Sequence, residues 1–234
     1  MGSSDSASPF AGIPLNRPVV VFGLEWTAWE GSRERNWSGP NEEPEIIEIV
    51  SVKLDGADGL REIIAFENLV RLTRNPIVSS YFTDLTGITQ TLIDNEAMPF
   101  RDAITLFEGF VGYDGAPILS FSQDVESLRH NSALNDLPCP FAYIQFHNIA
   151  PTIAATAGRN PGSFSTSNLP ALFAFPPPTK AHCALGDSRC IAETLRLYCV
   201  QNHDSSLTAD QPRVKIARTG APSAATRFMG RQVS

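Results

Sequence analysis

Val19, Val20, Val21 and Phe22 form an unbroken apolar run that Glu25 closes three residues later. Four successive apolar residues, three of them β-branched, suit a strand covered on both faces. Such a strand belongs inside a sheet with helices packed against it. A carboxylate closing the strand wants a charged or hydrogen-bonding partner. The run therefore predicts a layered α/β domain with a polar site at the carboxyl edge of its sheet, where ligands bind in folds of this class.

The rest of the chain fits that frame. Residues 18–22 read as the first strand and 30–43 as a charged loop. Residues 45–54 (Glu-Ile-Ile-Glu-Ile-Val-Ser-Val-Lys-Leu) alternate well enough for a second strand, and 61–70 have the Ile and Phe content of a third. The turn between them, Asp55-Gly56-Ala57-Asp58-Gly59, is short enough to predict an antiparallel hairpin. The texture then changes. Short helices are expected at 79–84 and 89–95. A longer one is expected over 99–113, where Phe100, Ala103, Ile104, Phe107, Phe110 and Val111 recur at helical spacing. Residues 117–121 read as a strand and 124–133 as a helix with Asp124 near its start. A strand lies within 141–149, followed by helices over 150–157, 164–173 (Ser165 as a cap) and 187–200. Strands first, then strands alternating with helices, predict a mixed sheet with helices on its faces.

Three acids and one imidazole fall at telling places in this layout. Glu25 ends the first strand, Asp124 opens a helix just after another strand, and Asp187 sits in the first turn of the last helix, five residues after His182. Oxygen ligands of this kind suit Mg²⁺ or Mn²⁺, not Zn²⁺. In two-metal phosphoryl chemistry the ions sit about 3.5–4 Å apart. A histidine with a pKa of about 6.5 can take the proton of an attacking water. Singly, each residue has an ordinary reading: Asp124 as a helix cap, Asp187 as a first-turn acid and His182 as a surface histidine. Only the joint pattern reverses those readings. Zinc at His182, Cys183, Cys190 and Cys199 is not expected, because Cys190 and Cys199 stand nine residues apart on one helix, more than two turns. Trp26, Trp29 and Trp37 cluster near the acids, where they are as suited to packing as to stacking on bases.

Taken together, four stretches resemble the DEDDh 3′–5′ exonucleases, and within them the branch of histone-mRNA and small-RNA-trimming exoribonucleases. The stretches are Val-Val-Val-Phe-Gly-Leu-Glu-Trp-Thr-Ala-Trp-Glu-Gly (19–31), Glu-Ile-Ile-Glu-Ile (45–49), Leu-Thr-Gly-Ile-Thr-Gln (85–90), and the pair Ser-Phe-Ser-Gln-Asp (120–124) with His-Cys-Ala-Leu-Gly-Asp (182–187). The resemblance covers about 18–200. It implies a ribonuclease H-like α/β fold with a mixed five-stranded sheet, a three-strand meander followed by parallel strands, flanked by helices. It implies that Glu25, Asp124 and Asp187 bind Mg²⁺ or Mn²⁺ in a two-ion site and that His182 is the general base. It also implies that Thr27 and the loop Leu85, Thr86, Gly87 and Ile88 line the terminal nucleotide of a single-stranded nucleic acid 3′ end, RNA favoured. One position departs: the family carries Asp where this chain has Gly23, and that acid bridges both ions. A weakened second ion and impaired turnover are the expected consequence, and a catalytically dead nucleic-acid-binding or protein-interaction module on the same fold is the rival reading. A proofreading or accessory subunit of a larger machine fits the same residues.

Charge and cysteine content narrow the surroundings. The net charge is −7, which excludes a uniformly basic nucleic-acid binder but not an acidic enzyme that meets phosphate through metal. The last 24 residues carry Arg213, Lys215, Arg218, Arg227 and Arg231 and no acid, leaving −12 for residues 1–210. The expected organisation is a flexible leader (1–17), one domain (18–200) and a basic, disordered tail (201–234). Four cysteines without a CxxC spacing, no signal-like start and no apolar run near the roughly 20 residues of a membrane helix predict a reduced, cytoplasmic protein with no membrane partner.

Overall fold

The computed structural model describes residues 10, 12–141, 146–160, 165–178 and 183–203. His182, most of the expected leader and the tail from 204 onward lie outside the described residues.

Five strands form one sheet: β1 (Val19–Trp26), β2 (Ile46–Asp55), β3 (Arg61–Leu69), β4 (Ile118–Ser120) and β5 (Phe146–Asn148). Their order is β3-β2-β1-β4-β5. β1 and β2 pair antiparallel, as do β2 and β3, whereas β4 runs parallel to both β1 and β5. The sheet is thus the expected meander extended by parallel strands. The hairpin closes through a 3₁₀ turn (Gly56–Asp58), in which the Asp55 carboxylate accepts the Ala57 N–H and Gly59 takes the left-handed conformation, φ 59°.

Seven helices follow among the described residues: α1 (Ser80–Thr86), α2 (Gln90–Glu96), α3 (Phe100–Val111), α4 (Asp124–Leu134), α5 (Ala150–Thr156), α6 (Leu169–Phe173) and α7 (Ala184–His203). The period-2 geometry of β1 sorts its side chains onto two faces. Val20, Phe22 and Leu24 pack with Ala103, Ile104 and Phe107 of α3. Val19 and Val21, with their partners Leu54 and Val52, pack with Cys190, Ile191 and Leu195 of α7. Gly23 and Glu25 continue along the α7 face, opposite Val50 and Glu48.

Most boundaries fall within two residues of expectation, and three stretches differ most. β1 continues to Trp26, because the backbone of Gly23, Leu24 and Glu25 stays paired to β2 whatever the side chains carry. α7 starts at Ala184: the Asp187 N–H already donates to the Cys183 carbonyl (2.9 Å), so a full turn precedes the stretch read as helical. The stretch 164–173 divides into a 3₁₀ turn (Thr166–Asn168) and α6, with Phe164 outside the described residues. All four thiols are free. Among the described residues no helix is long and apolar enough to cross a membrane.

Two buried polar side chains hold the edge of the sheet that carries Glu25. Asn131 of α4 accepts the Ile46 N–H (2.8 Å) and donates to the Pro44 carbonyl (2.9 Å), tying the helix opened by Asp124 to the start of β2. The Glu45 carboxylate accepts the N–H groups of Thr73, Arg74 and Asn75 and the Thr73 hydroxyl, all within 2.6–2.9 Å. Removing it leaves the buried Asn75 N–H and the part-buried bonds of Thr73 and Arg74 without their acceptor. Glu45→Ala is therefore expected to destabilise the fold by about 3 kcal/mol, read as a lowered urea midpoint at unchanged slope.

Candidate active site

Where β1 and β4 end, the sheet opens into a cavity of about 390 Å³. Three elements deliver one acid each to its wall: Glu25 from the end of β1, Asp124 from the first turn of α4 and Asp187 from the first turn of α7. Local chemistry explains the approach of Asp124. After β4 the chain turns sharply at Ser122, which takes a positive φ of 66°. The Asn148 side chain clamps that turn, accepting the Ser122 N–H (3.1 Å) and donating to its carbonyl (3.0 Å). Asp124 then accepts the Phe121 N–H (3.1 Å), which holds its carboxylate at the start of α4.

The acids repel one another. Burial pushes the Glu25 carboxyl well above its usual range, and the charges of Glu48, Asp187 and Asp124 push it further. Burial raises Asp124 to about 8, against the hydrogen bond from Phe121, with Asp187 and Glu126 adding to the rise. Glu48 was not singled out from the sequence. It is buried in β2 directly opposite Glu25. Its signal was legible in hindsight: a lone charge between Ile47 and Ile49, on the same sheet face as Glu25. Ser188 of α7, which lines the same cavity, carried no such signal.

Buried oxygen donors that raise one another's pKa suit a hard divalent cation, which would relieve the repulsion. Yet among the described residues no three His, Cys, Asp or Glu side chains are gathered so that they could hold an ion. Gly23 stands on the cavity wall between Val21 and Glu25 on the α7 face and brings no side-chain oxygen.

The residues expected at the terminal nucleotide divide. Leu85 lines the cavity, together with Tyr81, Phe82, Trp26 and Trp37. Trp26 and Trp37 are tilted neighbours with ring centroids 6.3 Å apart, and the Trp37 indole donates to the Thr27 carbonyl (2.9 Å). The Thr27 hydroxyl is engaged with backbone, donating to Glu43 (2.7 Å) and accepting from Glu45 (3.0 Å). The Thr86 hydroxyl donates to Phe82 (2.9 Å), Gly87 caps α1 at φ 79° and Ile88 is buried. Leu85 and Thr86, read as loop, belong to the last turn of α1, because the helix runs on to its left-handed cap at Gly87. Arg33 and the hydroxyl residues Ser165, Thr166 and Ser167 complete the rim.

Comparisons with known proteins identify the family and the fold. The Exonuclease family model, RNase T, matches residues 20–195. The 3′-5′ exonuclease Snipper of Drosophila melanogaster is 35% identical over 89 residues, 38% of this chain and 30% of that protein. ERI1 exoribonuclease 2 of Mus musculus is 31% identical over 109 residues, 44% of this chain and 15% of that protein. The matched segments thus span less than a third of either relative. The crystallographic nuclease domain of 3′hExo, a DEDDh family member bound to rAMP, superposes with a TM-score of 0.68 at 21% identity, covering 81% of this chain and 94% of that one. That likeness extends to the fold, a mixed five-stranded sheet flanked by helices of ribonuclease H-like type. With the family model spanning three quarters of its length, from β1 into α7, the chain belongs to the exonuclease family.

Proposed function

We propose that this chain acts on the 3′ end of single-stranded nucleic acid, RNA favoured, as a 3′–5′ exonuclease whose turnover is impaired by Gly23. The observation that carries the reading is the convergence of Glu25, Asp124 and Asp187, from three separate elements, on one cavity at the sheet's carboxyl edge. The relatives named above, an exonuclease and an exoribonuclease, support the substrate class. The exoribonuclease among them supports the preference for RNA.

In this reading Glu25, Asp124 and Asp187 hold Mg²⁺ or Mn²⁺, which when bound lowers the pKa of water and neutralises charge on the phosphate. The chain does the rest. His182, just ahead of α7, takes the proton of the attacking water. The aromatic side chains of Tyr81 and Trp37, with Leu85 on the same wall, receive the terminal base by stacking. Arg33 faces the departing strand's phosphate at the rim. Thr27 and the end of α1 with its cap (Leu85, Thr86, Gly87 and Ile88) set the position of the terminal nucleotide. Gly23 leaves the cluster one carboxylate short, so the second ion is held weakly.

One observation favours a second reading, a nucleic-acid-binding module without turnover: no three acidic, histidine or cysteine side chains among the described residues are gathered for an ion. The two readings part in one experiment. The full chain is incubated with 3′-labelled RNA and DNA strands across a titration of Mn²⁺. Slow, metal-dependent shortening from the 3′ end, lost in Asp187→Asn, is the expected result. Binding of the strand with no shortening at any metal concentration would establish the second reading instead.

A further inference from the structure

Ser188 presents a hydroxyl with nothing to bond to. Its Oγ is fully buried and has no hydrogen-bond partner, although nearly all buried polar groups in proteins are paired. The direction in which it lies is informative. A Cβ placed on Gly23 would stand 3.0 Å from this oxygen, with the Ala184 carbonyl and a Val50 methyl each 3.6 Å away. The hydroxyl is therefore turned into the notch that the missing side chain of residue 23 leaves in the cavity wall. That notch lies next to Glu25 along β1, and Ser188 follows Asp187 directly on α7.

From these placements we infer that the Ser188 hydroxyl is an oxygen donor to the divalent cation of the acid cluster, taking the place that a side chain at position 23 does not fill. The inference rests on the reading that Glu25, Asp124 and Asp187 hold such a cation. It explains why a hydroxyl beside the acid cluster is buried without a partner. The chemistry is ordinary, since a serine or threonine hydroxyl ligates Mg²⁺ in phosphate-binding loops. A neutral oxygen in place of a carboxylate also leaves the ion less neutralised, so binding is weaker than a fourth acid would make it.

The inference makes a demand that a merely orphaned hydroxyl does not. The contribution of Ser188 to cation affinity must depend on what stands at position 23. Once a carboxylate occupies the notch, the hydroxyl becomes that group's hydrogen-bond donor and its own contact with the ion is lost.

The test is Mn²⁺ affinity of the full chain, measured by calorimetry and by the loss of the free-ion electron paramagnetic resonance signal. The proteins compared are the unaltered chain, Ser188→Ala, Gly23→Asp, the double variant, and Glu25→Gln as a cluster control. Ser188→Ala is expected to weaken Mn²⁺ on the order of tenfold in the Gly23 chain. In the Gly23→Asp background the same change is expected to cost less than about twofold, a non-additivity that marks two groups sharing one place. Should Ser188→Ala not fold, Gly23→Ala serves instead, because its Cβ crowds the hydroxyl out of the notch; weakened Mn²⁺ is again expected. Unchanged affinity in Ser188→Ala or Gly23→Ala, with binding lost in Glu25→Gln, would overturn the role of Ser188 while leaving the cation site standing. An equal loss from Ser188→Ala in both backgrounds would likewise overturn it. No Mn²⁺ binding by the unaltered chain would overturn both the inference and the cation reading beneath it.

Discussion

Gly23→Asp is expected to raise metal-dependent 3′ shortening at least ~100-fold. Placing preorganised charge at the ions is the dominant catalytic effect in sites of this kind, and the loss of one carboxylate ligand costs several kcal/mol. At 1.36 kcal/mol for each factor of ten, ~100-fold corresponds to about 3 kcal/mol of transition-state stabilisation. The fold has room for the change. The backbone at Gly23 is ordinary strand, the new Cβ meets Val50 and the Ala184 carbonyl at normal contact distance, and only the Ser188 hydroxyl at 3.0 Å must turn slightly. As it turns, it gains a carboxylate to donate to. The gain is checked by single-turnover shortening of a 3′-labelled strand at saturating Mn²⁺. Equal rates for the two proteins would mean that residue 23 does not limit turnover.

Asp124→Asn is expected to abolish shortening while making the metal-free protein more stable at alkaline pH. Asp124 is buried, and burial raises its pKa to about 8. A carboxyl whose pKa is higher in the folded protein than in the unfolded chain binds its proton more tightly when folded. Its stabilising contribution is complete below the unfolded value of about 3.9 and disappears as pH climbs through about 8. The metal-free chain should therefore lose stability between about pH 4 and pH 8 from this residue, and Asn removes that slope because it carries no charge. The amide oxygen still accepts the Phe121 N–H, so the turn into α4 is kept. Urea midpoints at pH 6 and pH 9, taken in a chelator, check the stability; the labelled strand checks the activity. A variant less stable than the parent at pH 9 would contradict the proposed cost of the buried charge. Such a pairing of lost function with gained stability is what a strained site predicts.

The parts of the fold that follow from periodicity were legible in the sequence. The run Val19 to Phe22, the alternation in β2 and the turn at Asp55 lead straight to the antiparallel meander, and the spacing from Phe100 to Val111 leads to α3. The ends of elements were less legible. Nothing in the side chains of Gly23, Leu24 and Glu25 announces that their backbone stays in the ladder, because pairing is decided by β2 some 25 residues away. The three acids were legible as a set because each stands at the end or start of an element, where a charge needs a reason. Glu48 was legible only in hindsight and Ser188 not at all, since their importance comes from what other elements place beside them. Glu48 matters through its register opposite Glu25, and Ser188 through the absence of a side chain on another strand. Thr27 shows the converse. A position matched to substrate contact has its hydroxyl bound to the backbone of Glu43 and Glu45, where it also braces the edge of the site.

The most direct test of the whole account is a crystal of this chain soaked in Mn²⁺ and measured at the manganese absorption edge. An anomalous peak within about 2.5 Å of carboxylate oxygens from Glu25, Asp124 and Asp187 is the expected result. A well-ordered cavity with no peak, or manganese bound only elsewhere, would contradict it.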